Sequence, residues 1–159
     1  MRAKMTWLVV AVVAMIPIVT RATPNNGVLF NIITRGSTGD EIATSARTGR
    51  WHAVLHTNSP TDFVSQDVAF APGGYSGWHS HPGFVLASVT AGTLTLYNAD
   101  DPSCTPTFVS AGQAFMEKPG HVHFARNEGT MPEQHVSTYV VPLGSPLVTD
   151  APNPGNCPF

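Results

Sequence analysis

Charge is what this sequence has least of. Asp, Glu, Lys and Arg make up 11% of its 159 residues, against about 25% in an ordinary soluble chain. Ten acidic residues against eight basic ones leave a formal charge of −2, so the basic footprint of a nucleic-acid binder is missing. Cysteine is scarce too. Cys104 and Cys157 are the only two, with no C-x-x-C between them, which removes the zinc-knuckle and dithiol-redox readings. No G-x-S-x-G elbow, phosphate loop, dinucleotide fingerprint or H-E-x-x-H pair occurs. No helix of convincing length and no solenoid-type repeat is visible. The 42% of apolar residues, broken up by 14 glycines and 14 prolines, instead predict short strands and tight turns in one all-β domain.

The one long apolar run lies at the start. Arg2 and Lys4 precede an uncharged stretch from Thr6 to Val19, and Thr20-Arg21-Ala22 ends it on a small residue. This is the layout of a secretory signal peptide over residues 1–22; the run is short for a bilayer span, and an uncleaved anchor is the alternative. The remaining residues, 23–159, hold five basic and ten acidic side chains, a charge of −5. They have no electrostatic reason to seek nucleic acid or an anionic membrane. A secreted or periplasmic location follows, and an even cysteine count in an exported chain predicts a Cys104–Cys157 disulfide. Two free buried thiols are the alternative.

Strands are expected at Gly27–Arg35, Trp51–His56, Phe63–Ala71, Phe84–Thr90, Thr93–Tyr97, Thr107–Ser110, Ala114–Glu117, His121–Arg126 and Gln134–Val141. Residues 36–49 read as a long loop or a weak short element, Pro72-Gly73-Gly74 as a stop, and the proline-rich tail from Pro142 as irregular. Strands at this spacing suggest a sandwich or barrel.

Seven histidines stand out in so uncharged a chain. His79 and His81 are two apart, so on a strand they face one side, and His123 lies on another expected strand. Three imidazoles converging inside a barrel suit a divalent transition metal with open coordination positions; solvated surface histidines are the bland reading. Phe115 and Glu117 share a face of their strand. A carboxylate turned to an apolar interior costs several kcal/mol unless paired or metal-bound, so Glu117 is a candidate ligand or acid–base group unless it points into water. His121 shares parity with His123 and either lines the mouth or is solvated. Trp78 and Phe84 flank the H-x-H segment as candidate pocket walls, with core packing the default. His52, His56 and His135 read as solvated bystanders.

Gly73, five residues, His79, one residue, His81, then Gly92 resembles the first motif of the cupin family. Gly112, seven residues, Gly120, two residues, His123, three residues, Asn127 resembles the second. The resemblance covers roughly Val64 to Val141. It implies a double-stranded β-helix, jelly-roll barrel with a metal (Fe, Mn, Ni, Cu or Zn) near its mouth, a small-molecule substrate or ligand, and a homodimer. Two departures matter. The family's first-motif glutamate, with three or four residues between it and the second histidine, falls on Val85 or Leu86. The second motif's proline position holds Lys118, with Pro119 following. Three-histidine cupins lacking that glutamate resemble iron dioxygenases, so the resemblance implies an oxygenase, isomerase or lyase; a non-catalytic small-ligand barrel is the alternative.

Overall fold

The computed structural model describes residues 23–159; the expected leader, residues 1–22, lies outside the described residues. Twelve strands follow in order: β1 (Asn26–Ser37), β2 (Ala43–Thr48), β3 (Trp51–His56), β4 (Thr61–Tyr75), β5 (His79–Ser80), β6 (Phe84–Ala91), β7 (Thr93–Asn98), β8 (Thr107–Ser110), β9 (Ala114–Glu117), β10 (His123–Arg126), β11 (Glu133–Pro142) and β12 (Thr149–Asp150). No helix occurs among the described residues. Ten strands make one antiparallel sheet whose spine is β12-β5-β10-β4-β11-β6-β9, with β1 added to β4 and β8 joined through β7. The sheet curls into a nearly closed barrel.

The strands carry the period-2 pattern that a sheet with one buried face requires. On β11 the inward row is Glu133, His135, Ser137, Tyr139 and Val141; on β6 it is Val85, Ala87 and Val89; on β4 it is Val64, Gln66, Val68 and Phe70. Each wholly buried valine or aromatic in these rows stabilises the fold by about 1.5–3 kcal/mol. The interior is not uniformly apolar. One packed group joins Val64, Val85, Tyr139 and Val141, another Val68, Phe70, Leu94 and Ala125. Polar side chains lie between them, among them Gln66, His81 and His123, all buried.

One expectation left open is decided for the short element, and two are corrected. Residues 43–48 form β2, paired along its length with β3 in an exposed hairpin of its own. Pro72-Gly73-Gly74 does not stop β4, which runs to Tyr75 opposite Asn26 of β1. A register shift there accommodates the proline, which has no amide to give the ladder. A Cβ on Gly74 would lie 2.7 Å from the Gly27 carbonyl oxygen, so only glycine lets the strands approach so closely. Finally, the tail is not wholly irregular: Thr149 and Asp150 pair with Ser80 and His79 as β12. The Cys104–Cys157 disulfide ties that tail to the β7–β8 loop, across 53 residues of chain.

Candidate metal centre

The two histidine-bearing segments are fastened to each other by their backbones. His79 on β5 stands opposite His123 on β10. The turn before β10 donates from the Gly120 amide to the His81 carbonyl at 2.8 Å. Wholly buried Trp78 anchors the start of β5 among Tyr97 and Phe124, and its carbonyl accepts from the Ala151 amide of the tail at 2.9 Å. The imidazoles of His79, His81 and His123 therefore meet inside the barrel. Their ring centroids are 4.9, 4.3 and 5.1 Å apart, and one ligand nitrogen from each lies within 4.8 Å of the others.

Each ring is held by the same nitrogen. Nδ1 lies 2.9 Å from the Gly77 carbonyl in His79, 2.6 Å from that of Leu147 in His81, and 2.9 Å from that of His121 in His123. A carbonyl only accepts, so all three Nδ1 atoms carry the proton and the neutral rings turn bare Nε2 lone pairs to the common centre. Orientation of a ligand imidazole through its other nitrogen is how metal-binding histidines are set.

Glu117 completes the group. Its carboxylate lies 3.0 Å from Nε2 of His81 and 3.0 Å from Nε2 of His123. The strand register explains how it arrives there. Glu117 of β9 stands directly across from Val85 of β6, and opposed residues point to one face. The interior spot next to Val85, which carries no carboxylate of its own, thus receives one from the neighbouring strand. A carboxylate oxygen 3 Å from two bare nitrogens is repulsive unless a cation lies between them. Without a metal, that cation is a proton. Burial alone would push the Glu117 carboxyl up, but His123 and His81 hold it far below the ordinary carboxylate range. Burial likewise disfavours a charged His123, yet the Glu117 carboxylate outweighs it and raises that ring's pKa. In His79 burial wins, helped by the charge of His123 and His81, and the pKa falls to about 3. The donor set thus suits one divalent cation: three oriented imidazoles and a carboxylate, at a spot where a proton shared by Glu117 and His123 otherwise supplies the positive charge.

The centre opens on a cavity of about 410 Å³ lined by His79, His81 and Glu117 together with residues that extend well beyond them. Tyr139, its ring 5.5 Å from that of His81, donates its hydroxyl to Oε1 of Gln66 at 2.9 Å. Burial first, then the Glu117 charge, raise the Tyr139 pKa, so the phenol keeps its proton.

The other candidates are placed differently. Phe84 is exposed on the outer face of β6, because it is one residue out of phase with inward Val85. Trp78 is packed in the core away from this cavity. His121 is half-exposed beside Asp100, 3.2 Å away; it serves the centre through its backbone carbonyl, not its ring. His52 and His56 lie on the exposed β2–β3 hairpin. His135, expected in water, is buried and hydrogen-bonds through Nδ1 to buried Glu133 at 2.9 Å. Gln66, Ser137 and Tyr139 escape sequence reading as lining residues, and so does Glu133 as the buried partner of His135, although the alternation of β11 and β4 already put them on one face. The Leu147 carbonyl has no side-chain signature at all.

Residues 66–139, just under half of the chain, match the family model described as a cupin domain. No curated protein matches. Among solved structures, the chain resembles a conserved protein with a double-stranded β-helix domain from Klebsiella pneumoniae subsp. pneumoniae MGH 78578, at 27% identity over 71% of this chain and 85% of that one, with a TM-score of 0.48. It resembles a cupin-like protein from Thermotoga maritima MSB8 at 23% identity, over 57% of this chain and 65% of that one, TM-score 0.48. Recombinant oxalate oxidase in complex with glycolate matches at 25% identity over 55% of this chain, TM-score 0.47; this chain spans 45% of that enzyme's length.

Proposed function

We propose, from the premise that residues 66–139 are a cupin domain with a double-stranded β-helix fold, that the protein binds a divalent transition metal and acts through it on a small molecule. His79, His81 and His123 are the ligands in this reading, and Glu117 is the fourth ligand or the acid–base group beside them. The observation that carries it is the common anchoring of three Nδ1 atoms on backbone carbonyls, which leaves three Nε2 lone pairs aimed at one point. When bound, the metal supplies Lewis-acid polarisation or one-electron chemistry, and oxygenase-type chemistry is the reaction class preferred here.

The chain's own groups do the remaining work. The carboxylate of Glu117, already paired with two imidazoles, takes or returns a proton at the substrate atom next to the centre. Tyr139, kept protonated and fixed by Gln66, offers an oriented polar edge along the cavity wall. Leu147 of the tail, also on the cavity wall, covers His81 and excludes water from that side.

The reading is tested by elemental analysis of the purified chain, beside a His79→Ala/His81→Ala variant. About one equivalent of Fe, Mn, Ni, Cu or Zn in the wild type, lost in the variant, is expected. No metal, or the same content in both, sinks it. We also propose export through the leader and a secreted or periplasmic location, supported by the Cys104–Cys157 disulfide, which hints at an oxidising compartment. No helix among the described residues is long and apolar enough to cross a membrane. A homodimer is proposed as well, supported by exposed Leu29, Ile32 and Ile33 on β1; a monomer in sedimentation equilibrium would refute it.

A further inference from the structure

The row of inward residues on β11 does not end at the histidine centre. Tyr139 meets His81, and four residues back along the same face, about 14 Å of extended strand, stands His135. Its ring lines the same cavity as His79, His81 and Glu117, at the far end. His135 is 6% exposed and Glu133, two residues before it, is wholly buried. The Nδ1–H of His135 donates to Oε1 of Glu133 at 2.9 Å. Phe70 stacks on the imidazole at 6.0 Å and Phe115 meets it edge-on at 5.8 Å. With Nδ1 committed and both sides packed, Nε2 is the ring's remaining hydrogen-bonding atom.

Such a pair is costly as mere filling. A carboxylate taken from water loses several kcal/mol of hydration that one hydrogen bond does not return, and Oε2 of Glu133 has no hydrogen-bond partner. The neighbouring inward positions show that apolar packing serves this end of the barrel: Val68, Phe70, Leu94 and Ala125 fill it. A buried carboxylate orienting an imidazole at a cavity wall is the arrangement expected of a group held in place to meet a ligand.

We propose that His135, oriented by Glu133, is a second anchor in the cavity, one that needs no metal. It donates from Nε2 to an oxygen acceptor at the far end of an elongated small molecule whose other end lies at His79, His81 and His123. The inference rests on the function proposed above and adds the shape of the substrate. It has an oxygen-donor head, an apolar body lying along Val68, Leu94 and Phe115, and a carbonyl or carboxylate tail. A two-carbon acid held at the centre is too short to reach His135.

The test uses three probes on the full chain: octanedioate, octanoate and ethanedioate. By calorimetry on the metal-loaded protein, octanedioate binds at least tenfold more tightly than either of the others. A Glu133→Leu/His135→Leu variant, which leaves no buried charge unpaired, loses that preference while keeping its affinity for octanoate. In metal-free protein, octanedioate shifts the ring resonances of His135, and octanoate, whose one carboxylate then has no metal to prefer, does so too. Equal binding of octanedioate and octanoate by the wild type, or a preference that survives in the double variant, overturns the anchor. Should the variant fail to fold, the comparison of acids on the wild type decides alone. A protein that takes up no metal but still shows the octanedioate shift at His135 refutes the metal reading and supports the anchor. A metal-loaded protein that does not discriminate refutes the anchor and leaves the metal reading standing.

Discussion

Glu117 and Val85 are cross-strand partners, and the consequence is electrostatic. The carboxylate sits among imidazoles that would otherwise repel one another when charged, and it helps His123 to hold the proton that a divalent cation would displace. Glu117→Gln removes that anion but keeps the shape. Burial then acts on His123 against the His121 carbonyl alone, so its pKa, raised in the wild type, falls. Ring resonances followed through a pH titration of metal-free protein check this, and an unchanged His123 would contradict it. Metal affinity should drop by about 10-fold or more in the same variant. Asp62 makes a second, independent case. It is buried on β4, accepts from the Ser37 hydroxyl at 2.5 Å and the Gly144 amide at 3.0 Å, and lies 3.6 Å from Arg35. Ser37 and Gly144 first, then Arg35, lower its pKa against the pull of burial. The folded carboxylate therefore gives up its charge at lower pH than the unfolded one. The stability it contributes is fully present above about pH 4 and is lost as pH falls through the lowered value. Asp62→Asn should be less stable than wild type at pH 7 in urea melts, with the gap closing at pH 3; a constant gap would show that the charge is not what matters.

At the level of elements, the tail is a working part of the centre. The Leu147 carbonyl fixes the His81 ring, β12 pairs with His79, and the disulfide closes 53 residues of chain behind them. On the loop-entropy model a closure of that length stabilises the fold by about 4 kcal/mol. A Cys104→Ser/Cys157→Ser variant should lose stability of that order in denaturant melts and bind metal more weakly. In contrast, His52→Ala/His56→Ala on the β2–β3 hairpin should leave metal affinity unchanged in the same titration. The contrast also shows what a sequence can carry. The i,i+2 spacing of His79 and His81 and the shared parity of Phe115 and Glu117 are local, and local periodicity is enough to put them on one side. A carbonyl that arrives from Leu147, 66 residues beyond His81, leaves no such trace. Phe84 was out of phase by a single residue, which on a strand is the whole difference between cavity and solvent. The partner of His135 is local as well: Glu133 precedes it by two, on the same face.

For the whole molecule, the scarcity of charge acquires a location. Most of the interior is filled by β-branched and aromatic side chains in register, and this much of the all-β barrel was legible from turn spacing, glycine and proline. Apart from Asp62, the few buried carboxylates and imidazoles are concentrated instead of scattered, with Glu117 and three imidazoles at one end of the cavity and Glu133 with His135 at the other. What sequence spacing did not convey was that one cavity joins the two, because that depends on the curl of β4, β9 and β11 around it. The most direct test of the metal centre is a calorimetric titration of metal-free protein with zinc between pH 8 and pH 5. The metal must displace the proton that Glu117 helps His123 to hold. Affinity should therefore fall steadily as the pH is lowered, with proton release accompanying binding, and binding should vanish in His79→Ala/His81→Ala. A profile that is flat from pH 8 to pH 5, or one that the double substitution leaves intact, would contradict a three-imidazole site.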